Sequence, residues 1–107
     1  MSTRACIAIQ LHTGIYKCVY CHHSPILDDL IKYFPTENDA SELIGLGSLS
    51  IIEKNGAVAF FRDLHHPIEQ THPKYKMNFD RLLDHANDID AEHLFYFQEN
   101  HWQYEKI

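Results

Sequence analysis

The sequence predicts an α+β domain, and three features carry that prediction. β-prone runs occur in pairs around short turns, segments with helically spaced apolar residues lie between the pairs, and the composition is typical of a globular protein. The chain has 107 residues, of which 45% are hydrophobic and 22% are charged. We therefore expect one α+β domain over residues 1–107.

Three hairpins are predicted, because each pair of β-prone runs flanks a recognisable turn. In the first hairpin, runs 6–10 and 15–21 flank a turn that ends at Gly14. The other two turns are Asn55-Gly56, between runs 49–53 and 57–61, and Glu99-Asn100, between runs 92–98 and 101–106. The terminal hairpin is expected to present Phe95, Phe97, Trp102 and Tyr104 on one face.

Helices are predicted between the hairpins from capping residues and helical spacing. The first begins at Ser24-Pro25 and ends before Pro35, the second begins at Thr36, and the third is capped by Asn78. Their expected buried residues are Ile26, Leu27, Leu30, Ile31 and Phe34 in the first, Ala40, Leu43, Ile44 and Leu46 in the second, and Phe79, Leu82, Leu83 and Ala86 in the third.

The resulting element order is ββααββαββ. Because hairpins give antiparallel neighbours, we expect an antiparallel sheet built from three hairpins, with two to three helices packed on one face. Residues 64–77 contain two prolines and three histidines and are predicted to form a loop.

The net charge of the chain limits the kinds of molecule that it is expected to bind. The formal net charge is −6, which disfavours direct binding to nucleic acid or to an anionic membrane and favours a basic protein surface. The sequence contains no apolar run of eighteen residues, and the N-terminus does not resemble a secretory signal, so we expect a cytoplasmic protein without membrane association. The three cysteines are an odd number and are expected to be free thiols.

The opening M-S-T-R-A-C-I-A-I, the glycine turn and Tyr20-Cys21-His22 resemble a family of small phage- and plasmid-encoded accessory proteins. The stretch 57–63 and the aromatic terminal hairpin with Trp102 are also similar, and together these segments cover about two-thirds of the chain. The family pattern continues with Trp-Asp-Gly-Tyr, where this chain has His23-Ser24-Pro25. The resemblance implies a mobile-element origin, a bacterial host cell and a host-modulating role.

These observations lead to the expectation of a stoichiometric binding protein that inhibits a host defence protein, of anti-CRISPR or anti-restriction type. The partner would be a host protein, for example one that belongs to a nucleic-acid-binding defence complex. No catalytic residue and no cofactor are expected. The predicted contact residues are acidic positions of the second helix, acidic positions in and after the third helix, and two positions on the terminal hairpin: Glu37, Asp39, Glu42, Asp84, Asp88, Asp90, Glu92, Tyr96 and His101.

Two alternatives stay open. The first is a zinc-binding protein or hydrolase-like enzyme centred on Cys21 and His22, with His23, His65 and His66 as further ligands. Alternation along a strand argues against it, because Cys18 and Cys21 would point to opposite faces. The second is a dimerising structural module, in which exposed edge strands pair between two copies.

Overall fold

The computed structural model describes residues 3–53, 56–59 and 72–107. Within these residues the chain forms seven strands and three helices, which confirms the α+β class. The strands are β1 (Ala5–Gln10), β2 (Tyr16–His23), β3 (Leu49–Glu53), β4 (Gly56–Ala59), β5 (Lys74–Lys76), β6 (His93–Gln98) and β7 (His101–Lys106), and the helices are α1 (Leu27–Tyr33), α2 (Glu37–Gly45) and α3 (Phe79–Asp88).

All seven strands belong to one sheet with the order β4-β3-β2-β1-β6-β7, in which β5 pairs with the first half of β2. The predicted hairpins β1–β2, β3–β4 and β6–β7 are confirmed as antiparallel pairs. Strand β5 forms within the region that was predicted to be a loop. Residues 60–71, which include the end of the predicted second hairpin, lie outside the described part of the chain.

The sheet is mixed, so the prediction of an antiparallel sheet is wrong where the hairpins meet. Strand β1 pairs in parallel with β6, from Ala5 opposite His93 to Ile9 opposite Phe97. Strand β2 pairs in parallel with β3, and α1 and α2 form the crossover between them. A parallel pair requires such a crossover connection, usually a helical one, whereas a turn signal reports only the antiparallel pair beside it.

Helices cover both faces of the sheet, which corrects the prediction that they pack on one face. Helices α1 and α2 enclose a first core with Ile7, and α3 encloses a second core with Cys6 and Ala8 on the opposite face of β1. Every residue from Ala5 to Ile9 is buried. A strand that is buried on both faces has a continuous apolar sequence rather than an alternating one, as this strand does.

Local hydrogen bonds explain where the helices begin. The Thr36 side chain and Asp39 form a reciprocal capping box at α2, and the Asn78 side chain accepts a hydrogen bond from the Arg81 N–H at 2.9 Å. Helix α1 begins at Leu27, two residues later than predicted for its first turn. The Ser24 N–H donates to the Thr3 carbonyl at 2.7 Å, which prolongs the extended backbone after β2.

The apolar side of α1 is therefore only partly buried. Leu30 is fully buried, and Leu27 and Phe34 pack partly against the first core. Ile26 and Ile31, which were predicted to be buried, are 61% and 49% exposed. Leu46, which follows α2, is also exposed at 41%, contrary to its predicted position on the buried side.

The terminal hairpin turns tightly at two residues with positive φ, Glu99 at 54° and Asn100 at 67°. Both angles match a type I′ turn, whose twist suits antiparallel strands. Trp102 is buried in the first core, and its Nε1–H donates to the Phe34 carbonyl at 2.8 Å. This bond fixes β7 to the end of α1. None of the helices within the described ranges has the length and apolar character needed to cross a membrane.

Candidate functional site

The outward side of α3 carries a row of carboxylates. Asp80, Asp84 and Asp88 are spaced four residues apart and are all exposed. Four residues correspond to about 6 Å along a helix, so the three side chains follow one side of α3. Leu82 and Ala86 pack the opposite side of the helix into the second core. This division between an apolar side and a charged side determines which residues face solvent.

The negative charge continues into the segment that follows α3. Asp90, which has a φ of 59°, and Glu92 are both exposed. We call the five residues Asp80, Asp84, Asp88, Asp90 and Glu92 the acidic surface. The structure thus places the four predicted contact acids of this region at exposed positions, and Asp80 of the same acidic cluster is exposed with them.

Among the residues that the structure describes, two ion pairs border the acidic surface without removing its charge from solvent. Arg81 lies 3.7 Å from Asp84, whose side chain is 65% exposed, and Arg4 lies 3.6 Å from Asp90, whose side chain is 80% exposed. Exposed pairs of this kind contribute only about 0–1 kcal/mol. Either arginine can therefore be separated from its carboxylate at small cost.

The predicted acids of α2 lie elsewhere. Because α2 covers the first core and α3 the second, the two acidic groups occupy opposite faces of the sheet. Glu37 and Glu42 are exposed, but Asp39 is half-buried, and its carboxylate accepts hydrogen bonds from the Thr36 N–H at 3.2 Å and the Thr36 hydroxyl at 2.8 Å. The nine predicted contact residues therefore do not form one continuous surface.

The terminal hairpin contributes less to the predicted surface than expected. Tyr96 is only 7% exposed, and its ring packs against Phe79 in the second core with 5.0 Å between centroids. This burial corrects its assignment as a contact residue. His101 is exposed, as predicted, and its Nδ1 lies 3.0 Å from the Glu99 carbonyl.

A small apolar groove, which no sequence pattern indicated, opens between the start of α1 and the terminal hairpin. Its volume is about 230 Å³. Tyr104 is 38% exposed at this groove, and its hydroxyl lies 2.5 Å from Nδ1 of His93. The late start of α1 leaves Ile26 at the groove instead of in the core. The lining residues are Pro25, Ile26, Leu27, His93, Phe95 and Tyr104.

The cysteine and histidine residues of β2 are distributed over both faces of the sheet. Cys21 belongs to the first core and Cys18 to the second, as strand alternation predicted. The Cys21 Sγ donates to the His23 carbonyl at 3.1 Å, and burial raises the pKa of this thiol to about 12. At neutral pH Cys21 is therefore a protonated core residue, which is unfavourable both for a nucleophile and for a zinc ligand.

His22 and His23 do not join Cys21 in a ligand set. The Nδ1 of His22 lies 2.7 Å from the Tyr20 hydroxyl, and His23 is exposed. Within the described ranges, no three histidine, cysteine or acidic side chains are grouped as metal ligands would be. His65 and His66, the other predicted ligands, lie outside the described residues.

A second thiol contact lies in the second core, where Cys6 and Cys18 are buried on adjacent strands. Hydrogen bonds from Cys6 and from His85 of α3 lower the pKa of Cys18, while the same contact between the thiols and burial raise the pKa of Cys6. No local sequence pattern indicates this cluster, because it depends on strand register and on the position of α3. Both sulfur atoms are enclosed, so the contact belongs to the core rather than to an accessible reaction site.

The acidic surface and the groove are features of this chain considered alone. No protein-family model matches the sequence, and no curated protein and no solved structure matches the chain. The likeness to phage and plasmid accessory proteins therefore stays a prediction based on the quoted residues.

Proposed function

We propose that this chain is a stoichiometric binding protein whose acidic surface occupies a basic surface of a protein partner. The observation that carries the proposal is the row of exposed carboxylates at Asp80, Asp84 and Asp88, extended by Asp90 and Glu92. The formal net charge of −6 adds a long-range attraction toward positive surfaces.

The partner class follows from the chemistry of such a row. Regularly spaced negative charges on a rigid element resemble the phosphates of a nucleic-acid backbone, which lysine and arginine side chains recognise. A nucleic-acid-handling protein offers a groove of the complementary sign. Together with the resemblance to mobile-element proteins, this favours a host defence complex of CRISPR or restriction type as the partner, and inhibition by occupation of its nucleic-acid groove as the mechanism.

Helix α3 is suited to this role because the residues that stabilise the helix are not the residues that carry its negative charge. The second core holds Leu82 and Ala86, and the Asn78 cap fixes the first turn, so the exposed carboxylates are not needed to form the helix. An interface of this kind gains specificity and association rate from complementary charge, and its affinity falls as salt screens that charge.

The test uses purified CRISPR effector and restriction complexes as probes, with binding measured by interferometry and inhibition by target-DNA cleavage. The triple variant Asp80→Asn, Asp84→Asn, Asp88→Asn removes three charges at nearly constant shape. We expect it to weaken binding at least tenfold and to reduce the salt dependence of binding.

The matched control neutralises three exposed acids on the other face of the sheet, Asp29→Asn, Glu37→Gln and Glu42→Gln. The net charge changes by the same amount, so the control separates a local surface from overall charge. Equal losses in both triple variants, or wild-type protein that neither binds nor inhibits any complex of the panel, would reject the proposal.

A further inference from the structure

The outer edge of β7 presents backbone groups that have no partner among the residues that the structure describes. In a hairpin with a two-residue turn, the two residues that flank the turn exchange backbone hydrogen bonds, as Gln98 and His101 do here. From His101 onward, the backbone N–H and C=O groups of every second residue of β7 point toward β6. The Ile107 N–H donates to the Glu92 carbonyl at 3.1 Å, which fits the same alternation. The N–H and C=O groups of Trp102, Tyr104 and Lys106 therefore point away from the sheet.

Strand β7 ends the sheet on this side, and within the described residues β6 is its one strand partner. A row of exposed donors and acceptors is a template for another strand. Strand β7 contains no proline and no bulge, two features that commonly protect such edges.

The edge is complementary to itself when two copies run antiparallel about a twofold axis at Gln103. In that register Trp102 lies opposite Tyr104 of the second copy, and the two residues exchange their outward hydrogen bonds. On the other face of the strand, His101 lies opposite Glu105 of the second copy, and Gln103 lies opposite Gln103. The histidine–acid and amide pairs are favourable, and no two like charges lie opposite each other.

The surroundings of the edge support a second copy as the occupant. Tyr104 and Ile26 are exposed apolar residues beside the groove next to β7, and a neighbouring sheet would reduce their contact with water. Helix α3 packs on β2, β5 and β6, so its carboxylates Asp80, Asp84 and Asp88 are not part of this edge.

We propose that two copies of this chain associate through β7, in antiparallel register centred on Gln103, to form one continuous sheet. This dimer does not depend on the proposed function. Strand pairing alone gives an interface at the small end of the usual range, so the association is a concentration-dependent equilibrium.

Position 103 gives a sharp test, because each copy places it opposite itself. Gln103→Lys sets lysine against lysine, and Gln103→Glu sets glutamate against glutamate, so each variant is expected to raise the dissociation constant roughly tenfold or more. An equimolar mixture sets lysine against glutamate and should recover at least wild-type association. Sedimentation velocity over a concentration series measures all four samples.

Ser41→Lys and Ser41→Glu are the matched controls, since Ser41 is exposed on α2 and the charge changes are identical. Both controls should associate as the wild type does. Recovery in the mixture also shows that each Gln103 variant is folded. Wild-type protein that stays monomeric throughout the series, Gln103 variants that dimerise normally, or a mixture that stays monomeric would each overturn the proposal.

Discussion

At the scale of single residues, Cys21 shows how burial decides the chemistry of a side chain. It lies beside two histidines in the sequence, yet its thiol is fully enclosed in the first core and hydrogen-bonded to the His23 carbonyl. Desolvation opposes the thiolate, which is why the pKa of Cys21 rises from 9.0 to about 12. The residue acts as a small apolar side chain that is protonated in the folded protein.

This pKa shift predicts an alkaline dependence of stability. The folded state holds the Cys21 proton more tightly than the unfolded state, so the stabilisation is complete below pH 9 and is lost as pH rises from 9 toward 12. The free energy of unfolding of the wild type, relative to that of Cys21→Ser, should fall by up to about 1.4 kcal/mol per pH unit in this range. Urea unfolding at a series of pH values measures the difference.

Cys6 and the tyrosines are present in both proteins, so their titration cancels in that comparison except at Tyr20, whose pKa is raised by burial and also by Cys21. Parallel stability curves for the wild type and Cys21→Ser between pH 8.5 and about 10.5 would contradict the assigned burial of the thiol.

The positions of single side chains were predicted correctly where they follow from strand alternation. They were missed where they depend on contacts between residues that are distant in the sequence. The alternation of side chains along a strand correctly placed Cys18 and Cys21 on opposite faces of the sheet. The contact of Cys18 with Cys6 and His85 joins three distant positions, and no local pattern specifies it. Tyr96 was assigned to the surface because its neighbours Phe95 and Phe97 were expected to face the core on the opposite side of the strand, whereas the sheet has a core on each face.

At the scale of elements, turns and caps were the predictable features. The capping signals at Thr36 and Asn78 and the hairpin turn at Glu99-Asn100 appear where the sequence places them. The start of α1 was missed because the Ser24 hydroxyl donates to the Pro25 carbonyl at 2.9 Å instead of accepting from an N–H of the first turn, while the Ser24 N–H extends the pairing with Thr3. Tertiary pairing with a neighbouring strand can override a local preference for starting a helix.

The terminal turn predicts a stabilising substitution. Glu99 and Asn100 both adopt positive φ, which is costly for a residue with a Cβ and least costly for asparagine and glycine. The double variant Glu99→Asn, Asn100→Gly installs the residue pair that a type I′ turn prefers. It should raise the free energy of unfolding by about 0.5–1 kcal/mol, which urea denaturation measures.

The control for this turn is Glu99→Gln, which removes the charge but retains the conformational cost. It should leave stability nearly unchanged. A gain in Glu99→Gln equal to that of the double variant would assign the effect to charge instead of backbone conformation.

At the scale of the whole molecule, β1 joins two cores. Its alternate residues enter the first core at Ile7 and the second at Cys6 and Ala8, so each core depends on the same backbone. The predicted contact acids include residues of both α2 and α3, and all helices were expected on one face. With helices on both faces they are separated, and only the α3 group retains a continuous row.

Because β1 contributes residues to both cores, we predict that the two cores unfold together. Leu82→Ala removes a fully buried side chain from the second core and should cost about 2–5 kcal/mol. Trp102, the single tryptophan, reports on the first core, so its fluorescence transition should shift together with the far-UV circular dichroism transition. Leu83→Ala, at a half-buried position of the same helix, should cost less.

Two separate transitions in Leu82→Ala, with the tryptophan signal unshifted, would show that the cores are independent. Coincident transitions would show that a perturbation beneath α3 reaches α1 and α2 through the sheet.

The parallel pairing of β1 with β6 also has a consequence for synthesis of the protein. Residues 5–9 leave the ribosome before α1, but their neighbours at residues 93–97 are made only after α1, α2 and α3. Until then one side of the central strand has no native partner, and neither core can close. Folding must therefore wait for residues 93–97 to emerge, and during that delay the newly made chain exposes its most apolar strand to chaperones and to other nascent chains.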